Sequence, residues 1–537
     1  MSSSRHRGAD VVARRLADAG CRFAFGIPGG EVLTLMDALV GAGLRFVVVR
    51  HENSGGFMAE GTYHASGAPG VLLGTVGPGV ANLVNVVANA QQDRIPLIVL
   101  TGCIDPGLTP TFSHQVFDHQ AVLAPVCKAS FRLEASAAGA IVDKALLIAT
   151  TGRPGPVHID VPIAVADSPA KLRRWQPMPA PTVASPDAVV EAHVALKSAK
   201  QPVAIVGNDV LHQGGAERVR AVLERLRLPV LTTYKAKGVV DETMPMALGA
   251  AGLSPKADEL LLPYVSEADV VLLVGYDPIE MRAGWRDPFN PGAQVVELVP
   301  VFDTQFVHRS SLQLVGDVAE NLERITDGIG AFEVDPSPLR AELKAAFAAS
   351  GEQFNAITLT EALLGLPADA RITIDTGAHR ILASQKLLRR RPGLMHQSTG
   401  LCTMGCALPV AIGAALADPG RPTVALVGDG GFEMVIGELA TARDLEVSLT
   451  VVVYDDRGLA LIEKKQRARG LANVGVDFGG SEFTGTGYDL IAEGFGAKGV
   501  VVDSLRDFRT ALVGALARTG VDVVACRLPR RGYDGAI

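Results

Sequence analysis

The sequence predicts an α/β protein of three doubly wound parallel-sheet domains in a row. Apolar runs of strand length are followed repeatedly by a glycine-rich turn and then a helix-length segment, the pattern of parallel strands joined by crossover helices. The 58 glycines gather after those runs, where backbone must approach something closely. A chain of 537 residues with 48 % hydrophobic content can also bury several separate cores.

In the first unit, residues 1–168, the strands are RFAFG, RFVVV, GVLLGTV and PLIVLTG. The polar, proline-rich stretch ADSPAKLRRWQPMPAPTVASPD (166–187) reads as a linker. The second unit, 186–330, carries PVAIVGND, PVLTTYKAKG, VVLLVGYD and VVELV. A helical connector, PSPLRAELKAAFAASGEQ, leads to the third unit, 352–537, with RITID, TVALVGD, LTVVVYD and VDVVACR. The units share size and style, which hints at duplicated architecture, although no sequence repeat is visible.

A net charge of −7 gives no footprint for nucleic acid or an anionic membrane, and no apolar run reaches the ~18 residues of a membrane span. Six scattered cysteines without a CxxC pair suit a reducing compartment and argue against structural zinc. The N-terminal MSSSRHRGADVVARRL has no apolar stretch of a secretory signal, so a cytoplasmic protein is expected.

Ligands of open parallel sheets sit beyond the carboxyl ends of the strands, so the residues just after each strand carry the functional search. After TVALV comes Gly428-Asp429-Gly430-Gly431, then a segment read as one helix from Phe432 to Asp444, then SLTVVV and Tyr454-Asp455-Asp456-Arg457-Gly458. A right-handed crossover brings both strand ends to one sheet edge, so Asp429 and Asp456 face the same crevice. Read alone, Asp429 is either a helix cap or a ligand. A second carboxylate across the crossover favours the ligand, since capping needs no partner. Two carboxylates with backbone carbonyls and water suit octahedral Mg²⁺, and the N–H groups of Gly430 and Gly431 suit a phosphate beside it. No GxxxxGK[ST] loop is present, and no GxGxxG opens a helix after a strand.

GDGGF followed by an acidic residue 27 positions later resembles the thiamine diphosphate-binding motif of the acetolactate synthase-like family. FGIPGGEV, RHENSGGFMAEGTYHASGAPGV, TVGPGVANLVNVVANAQQDRIPLIVLTG, GPVHIDVP and STGLCTMGCALPVAIGAALA resemble family segments in the same order, over nearly the whole chain. The resemblance implies a pyrimidine-binding domain, a central domain and a diphosphate-binding domain. It also implies a homodimer or homotetramer with active sites between subunits.

It further implies roles for single residues. Glu52 would hydrogen-bond N1′ of the aminopyrimidine and favour the tautomer whose N4′ takes the thiazolium C2 proton; the bland alternative is a carboxylate in the first turn of a helix starting near Ser54. Cys402 would offer its carbonyl to the 4′-amino group and Met404 its N–H to N3′, with the Met404 side chain wedged between the rings; otherwise Met404 is core filling. The family usually has Gly where Cys402 stands. Gly377, Ala378 and His379 match a loop over the diphosphate, with His379 either a phosphate donor or a residue one step behind it. Gly428, Asp429, Gly430, Gly431, Asp456, Gly458 and Leu459 would surround the diphosphate, with Asp429, Asp456 and Gly458 on Mg²⁺. Asn is commoner where Asp456 stands.

Gln115 matches a glutamine near the reacting carbons, Lys128 matches a family position, and His114 and His119 carry no assigned role. Lys465 stands where the resemblance places the Trp of anabolic acetolactate synthases, which does not support a biosynthetic branched-chain role; Lys464 and Lys465 raise the hypothesis of an anionic second substrate. Flavin adenine dinucleotide (FAD), bound by some relatives in the central domain, is not expected, because no DDR-type stretch follows VVLLVGYD.

The reading is therefore a thiamine diphosphate- and Mg²⁺-dependent lyase or carboligase acting on 2-keto acids or aldehydes. An FAD- or NAD-binding oxidoreductase on the same sheets, and a non-catalytic relative, are the competing classes. A flavin spectrum would favour the first of these; the joint presence of Glu52, Asp429 and Met404 speaks against the second.

Overall fold

The computed structural model describes residues 6–537 apart from 173–179, 350, 352, 473 and 477–485. The middle of the expected linker, 173–179, and much of the segment after helix Ala460–Ala468 therefore lie outside the described residues. Three six-stranded sheets follow one another along the chain, and every pairing within them is parallel. The first contains Phe23–Gly26, Arg45–Val48, Gly70–Gly74, Leu97–Cys103, Ala129–Arg132 and Val157–Pro162. Numbered in chain order within the sheet, these strands lie 2-1-3-4-6-5.

The third sheet, Arg371–Ile374, Met395–Gln397, Thr423–Gly428, Leu449–Asp455, Lys498–Val502 and Val521–Arg527, has the same order, 2-1-3-4-6-5. The hint of duplication, invisible in the residues, is thus present in the topology of the two outer sheets. The middle sheet runs 3-2-1-4-5-6, the doubly wound dinucleotide-binding order, from Pro202–Val206, Val230–Thr233, Ala247–Ala251, Val270–Val274, Gln294–Val299 and Leu312–Val315. The expected connector helix is Ser337–Ala346. No helix among the described residues is long and apolar enough to cross a membrane.

The outer sheets are brought together by two helices, Glu52–Ser66 and Ala407–Ala417, and one apolar core runs through both. Their backbones meet without intervening side chains. A Cβ on Gly413 would lie 1.9 Å from the Met58 carbonyl oxygen, and one on Gly61 would lie 2.2 Å from that of Val410. The contact pairs the middle of one helix with the middle of the other, Met58 with Gly413 and Gly61 with Val410, and so fixes the two outer domains on each other.

At the switch point of the middle sheet, where open α/β sheets hold ligands, two buried carboxylates pair with arginines of the first domain, although burial still pushes Asp209 up to about 7. Arg153 Nε donates to Asp209 Oδ2 (3.0 Å) and lies 3.6 Å from Asp277 Oδ2, while Arg94 Nε donates to Asp277 Oδ2 (2.7 Å). Asp209 and Asp277 follow the first and fourth strands of that sheet.

Candidate active site

Beyond the carboxyl ends of the third sheet, eleven of the expected site residues line one cleft: Gly377, Ala378 and His379; Met404; Gly428, Asp429, Gly430 and Gly431; and Asp456, Gly458 and Leu459. Three strand ends supply them, as the crossover rule requires, with the loop before Ala407–Ala417 adding Met404.

The segment after Thr423–Gly428 corrects the sequence reading. A short helix occupies Asp429–Glu433, a turn covers 434–437, and a second helix spans Glu438–Asp444, in place of one helix from Phe432. Gly428 is the extended N-cap residue and Asp429 is already helical, so Asp429 is no cap. Its carboxylate instead accepts the Gly430 N–H (2.7 Å, Oδ1) and the Gly458 N–H (3.1 Å, Oδ2), tying the two loops together. The Gly430 N–H, expected to face a phosphate, is therefore engaged within the protein.

Asp429 and Asp456 are both buried. Burial first, with Asp455 adding to it, pushes Asp429 up to about 7; burial first, then repulsion from Asp429, pushes Asp456 up to about 8. Two such carboxyls without a cation are poorly compensated, and a divalent ion between them reverses the penalty. No cluster of three or more His, Cys, Asp or Glu side chains that could hold a metal occurs among the described residues. Two carboxylates lining one cleft are oxygen donors of the kind that a hard cation takes, with phosphate and water to complete its shell.

His379 is buried, its ring stacked on Tyr454 with centroids 5.2 Å apart. Burial first, then Arg380, lowers it to about 3, so the imidazole is neutral, and it hydrogen-bonds the Asp375 carbonyl. Its Nε2 has no hydrogen-bond partner among the described residues. An orphaned buried nitrogen on a cleft wall costs free energy until a ligand meets it, which suits a cofactor oxygen there.

Cys402 does not line the cleft, and its backbone is left-handed at φ 56°. That conformation is one that Gly adopts without steric cost and other residues adopt rarely. Its thiol donates to the Thr399 carbonyl (2.9 Å), and Arg380 bridges Cys402 Sγ (3.4 Å) and the Ser398 carbonyl.

Sequence reasoning missed Asp375 and Tyr533. Asp375 accepts the Gly405 N–H (2.9 Å) and the Cys406 N–H (3.2 Å), and a Cβ on Gly431 would fall 1.9 Å from its Oδ2. It follows strand RITI as Asp429 follows TVALVG, the same signal left unread. Tyr533 lines the cleft from the C-terminal segment, with no local motif to mark it.

Glu52 and Gln115 lie away from this cleft, at the first turn of helix Pro78–Asp93. The Glu52 helix begins at Glu52, with His51 as N-cap, rather than near Ser54. Glu52 Oε2 accepts from Asn82 Nδ2 (3.0 Å), and its Oε1 sits 3.5 Å from where a Gly79 Cβ would be. Gln115 is exposed, left-handed at φ 58°, and packs on Gly77. From the third domain, Glu438 accepts the N–H groups of Arg50 (3.1 Å) and His51 (3.2 Å), which fixes the turn into Glu52.

His119 is buried against Asp160 (3.0 Å), and Lys128 Nζ donates to the carbonyls of Thr151 and Arg153 (2.8 Å each). Lys465 is exposed on helix Ala460–Ala468, beyond the cleft-lining Ala460–Ile462.

Three sequence profiles of one family match the chain: "Thiamine pyrophosphate enzyme, N-terminal TPP binding domain" over residues 6–122, "central domain" over 189–325 and "C-terminal TPP binding domain" over 375–526. The chain is 30 % identical to an acetolactate synthase of Bacillus subtilis (strain 168), covering 93 % of this chain and 89 % of that one. It is 28 % identical to the acetolactate synthase isozyme 1 large subunit of Escherichia coli (strain K12), covering 98 % and 94 %. A probable 2-ketoarginine decarboxylase of Pseudomonas aeruginosa is 30 % identical, covering 96 % and 93 %. With two cofactor-binding profiles falling on the two outer sheets and relatives matched over nearly their full lengths, the chain belongs to the thiamine pyrophosphate enzyme family, as an acetolactate synthase-like, thiamine diphosphate-dependent enzyme.

Proposed function

We propose that this chain holds thiamine diphosphate with Mg²⁺ in the cleft of its third domain and uses it to cleave 2-keto acids, passing the fragment to a proton or a second carbonyl compound. The observation that carries the reading is the pair of buried, uncompensated carboxylates of Asp429 and Asp456, on loops joined through the Gly458 N–H. Asp429, Asp456 and a backbone oxygen at Gly458 would hold the ion. His379 Nε2 and the backbone of Gly377, Ala378, Gly428, Gly431 and Leu459 would surround the diphosphate. Cys402 and Met404 would meet the pyrimidine through backbone groups, and the Met404 side chain would separate the rings. When bound, thiamine diphosphate supplies a carbon nucleophile and electron sink beside the substrate carbonyl.

Glu52 would hold and return a proton at the pyrimidine ring, from a site where burial keeps water away and Asn82 orients the carboxyl. Gln115, at the same corner, would hydrogen-bond the substrate. Because Glu52 does not line the cleft of its own chain, the reading takes it from a second copy, in a homodimer or homotetramer with shared sites. The domain limits that accompany it are 1–168, 186–330 and 352–537, and the compartment is the cytoplasm. FAD is not part of the proposal, since no DDR-type stretch follows VVLLVGYD in the middle domain.

Calorimetry of thiamine diphosphate with Mg²⁺ tests the reading: wild type binds and Asp429→Ala does not. Glu52→Gln binds but does not turn over. Mixing inactive Glu52→Gln with inactive Asp429→Ala restores activity in hybrid oligomers, because one site of each hybrid is intact. Lack of binding by wild type sinks the cofactor assignment, and an inactive mixture sinks the shared site.

A further inference from the structure

Helix Pro78–Asp93 carries Asn82, Asn85, Asn89 and Asp93, spaced so that they form one polar stripe along a single face. Each meets a different part of the machinery. Asn82 Nδ2 donates to the Glu52 carboxylate (3.0 Å). Asn85 Nδ2 donates to Asn53 Oδ1 (2.9 Å), and Asn85 Oδ1 accepts from Thr403 Oγ1 (3.4 Å). Asn89 Oδ1 accepts from Ser398 Oγ (2.6 Å), which in turn accepts the Thr403 N–H (3.1 Å).

At the end of the stripe, Asp93 Oδ1 accepts from Thr399 Oγ1 (2.5 Å), from the Thr399 N–H (3.0 Å) and from the Gly400 N–H (2.9 Å). Lys235 of the middle domain lies 3.4 Å from the same carboxylate and donates to the Asp93 carbonyl (3.2 Å). Asn89 and Asp93 are fully buried, whereas Asn85 is exposed.

One helix therefore grips the Glu52 turn at its start and the loop carrying Cys402 and Met404 at its end, with Asn85 touching the neighbours of both. We propose that this stripe sets the Met404 loop against the Glu52 turn, making Asn85 and Asp93 positioning residues for catalysis although neither lines the cofactor cleft. A helix of four turns is a stiff spacer. Loss of one contact lets the loop or the turn shift while each half keeps its own ligands. The inference rests on the functional reading above, in which Glu52 and Met404 act on cofactor. Because that reading shares each site between copies, the stripe joins the Glu52 half of one site to the Met404 half of the other.

Asn85 allows a clean test, because truncating an exposed side chain opens no cavity in the core. Asn85→Ala and Thr403→Val should each lower kcat about three- to tenfold, the size of one neutral hydrogen bond. Melting temperature, KM and thiamine diphosphate affinity should stay near wild type. The double variant should be no slower than the worse single one, and Thr403→Ser should keep wild-type kcat. Losses that multiply in the double variant, single variants with wild-type kcat, or a lower melting temperature without a kcat effect overturn the proposal.

Amide hydrogen exchange in cofactor-free protein separates this inference from the functional reading. Asn85→Ala should speed exchange in the 399–405 loop while helix Ala407–Ala417 stays protected. Unchanged loop exchange overturns the positioning role. Faster loop exchange in a protein that binds no thiamine diphosphate keeps the mechanical link and overturns the functional reading alone.

Discussion

Asp429 spends one carboxylate oxygen on its neighbour's N–H and the other on the Gly458 N–H, yet burial still drives its proton affinity up, and Asp456 rises with it. Both carboxyls thus bind protons more tightly in the folded chain than in the unfolded one, where pKa is ~4. At low pH both states are protonated. As pH rises from the ordinary carboxylate range towards about 8, the unfolded chain sheds protons that the folded chain keeps, and folding stability falls. Metal-free protein should therefore lose denaturation midpoint over that window, and Mg²⁺ with thiamine diphosphate should flatten the slope. Ligand at a hundred times its dissociation constant should add ~2.7 kcal/mol. Parallel pH curves with and without metal would show that the pair does not face the ion. Asp429 was legible because glycines and a strand flank it, and Asp456 because a crossover rule links it to Asp429. Asp375 gave the same signal, but its partners, Gly405, Cys406 and Gly431, come from distant loops that only folding brings together.

Helices Glu52–Ser66 and Ala407–Ala417 cross at glycine, so the contact has no slack. Gly413→Ala places a methyl group 1.9 Å from the Met58 carbonyl oxygen, and the backbones must part. The expected cost is about 1–3 kcal/mol of folding stability by urea denaturation, with weakened cofactor binding, since the helix follows the Met404 loop. A variant as stable as wild type would contradict the close crossing. At this scale the interior strands were legible apart from Val157–Pro162, and the edges mostly were not. Ala129–Arg132, Ala247–Ala251, Leu312–Val315, Met395–Gln397 and Lys498–Val502, none read as strands, all lie at sheet edges. An edge strand is covered on fewer sides and needs no continuous apolar run. The break at 434–437 was hidden because helix-forming residues lie on both sides of it. The second piece, starting at Glu438, instead reaches the backbone N–H groups of Arg50 and His51, a contact between distant parts of the chain.

Across the whole molecule, the middle domain keeps the strand order of a dinucleotide-binding sheet while its switch point serves as a charged joint to the first domain. Arg153→Met keeps much of the side-chain volume but leaves Asp209 without its cation. Breaking a buried pair from one side should cost about 3–5 kcal/mol, read by chemical denaturation. A small effect, or a flavin absorbance spectrum in purified wild type, would show that this crevice is open to ligand. The chain by itself determined the fold class, the order of the units and most of the residues around the cofactor cleft. Those properties reside in local signals: strand-length apolar runs, the glycines that end them, and carboxylates set just beyond. Folding alone decided that the outer sheets share one strand order, that the Glu52 turn and the loop before Met404 are held by one helix, and that arginines from one domain pair with the carboxylates in the crevice of another. These facts depend on contacts between residues far apart in sequence, where no local pattern reports which side chains will meet.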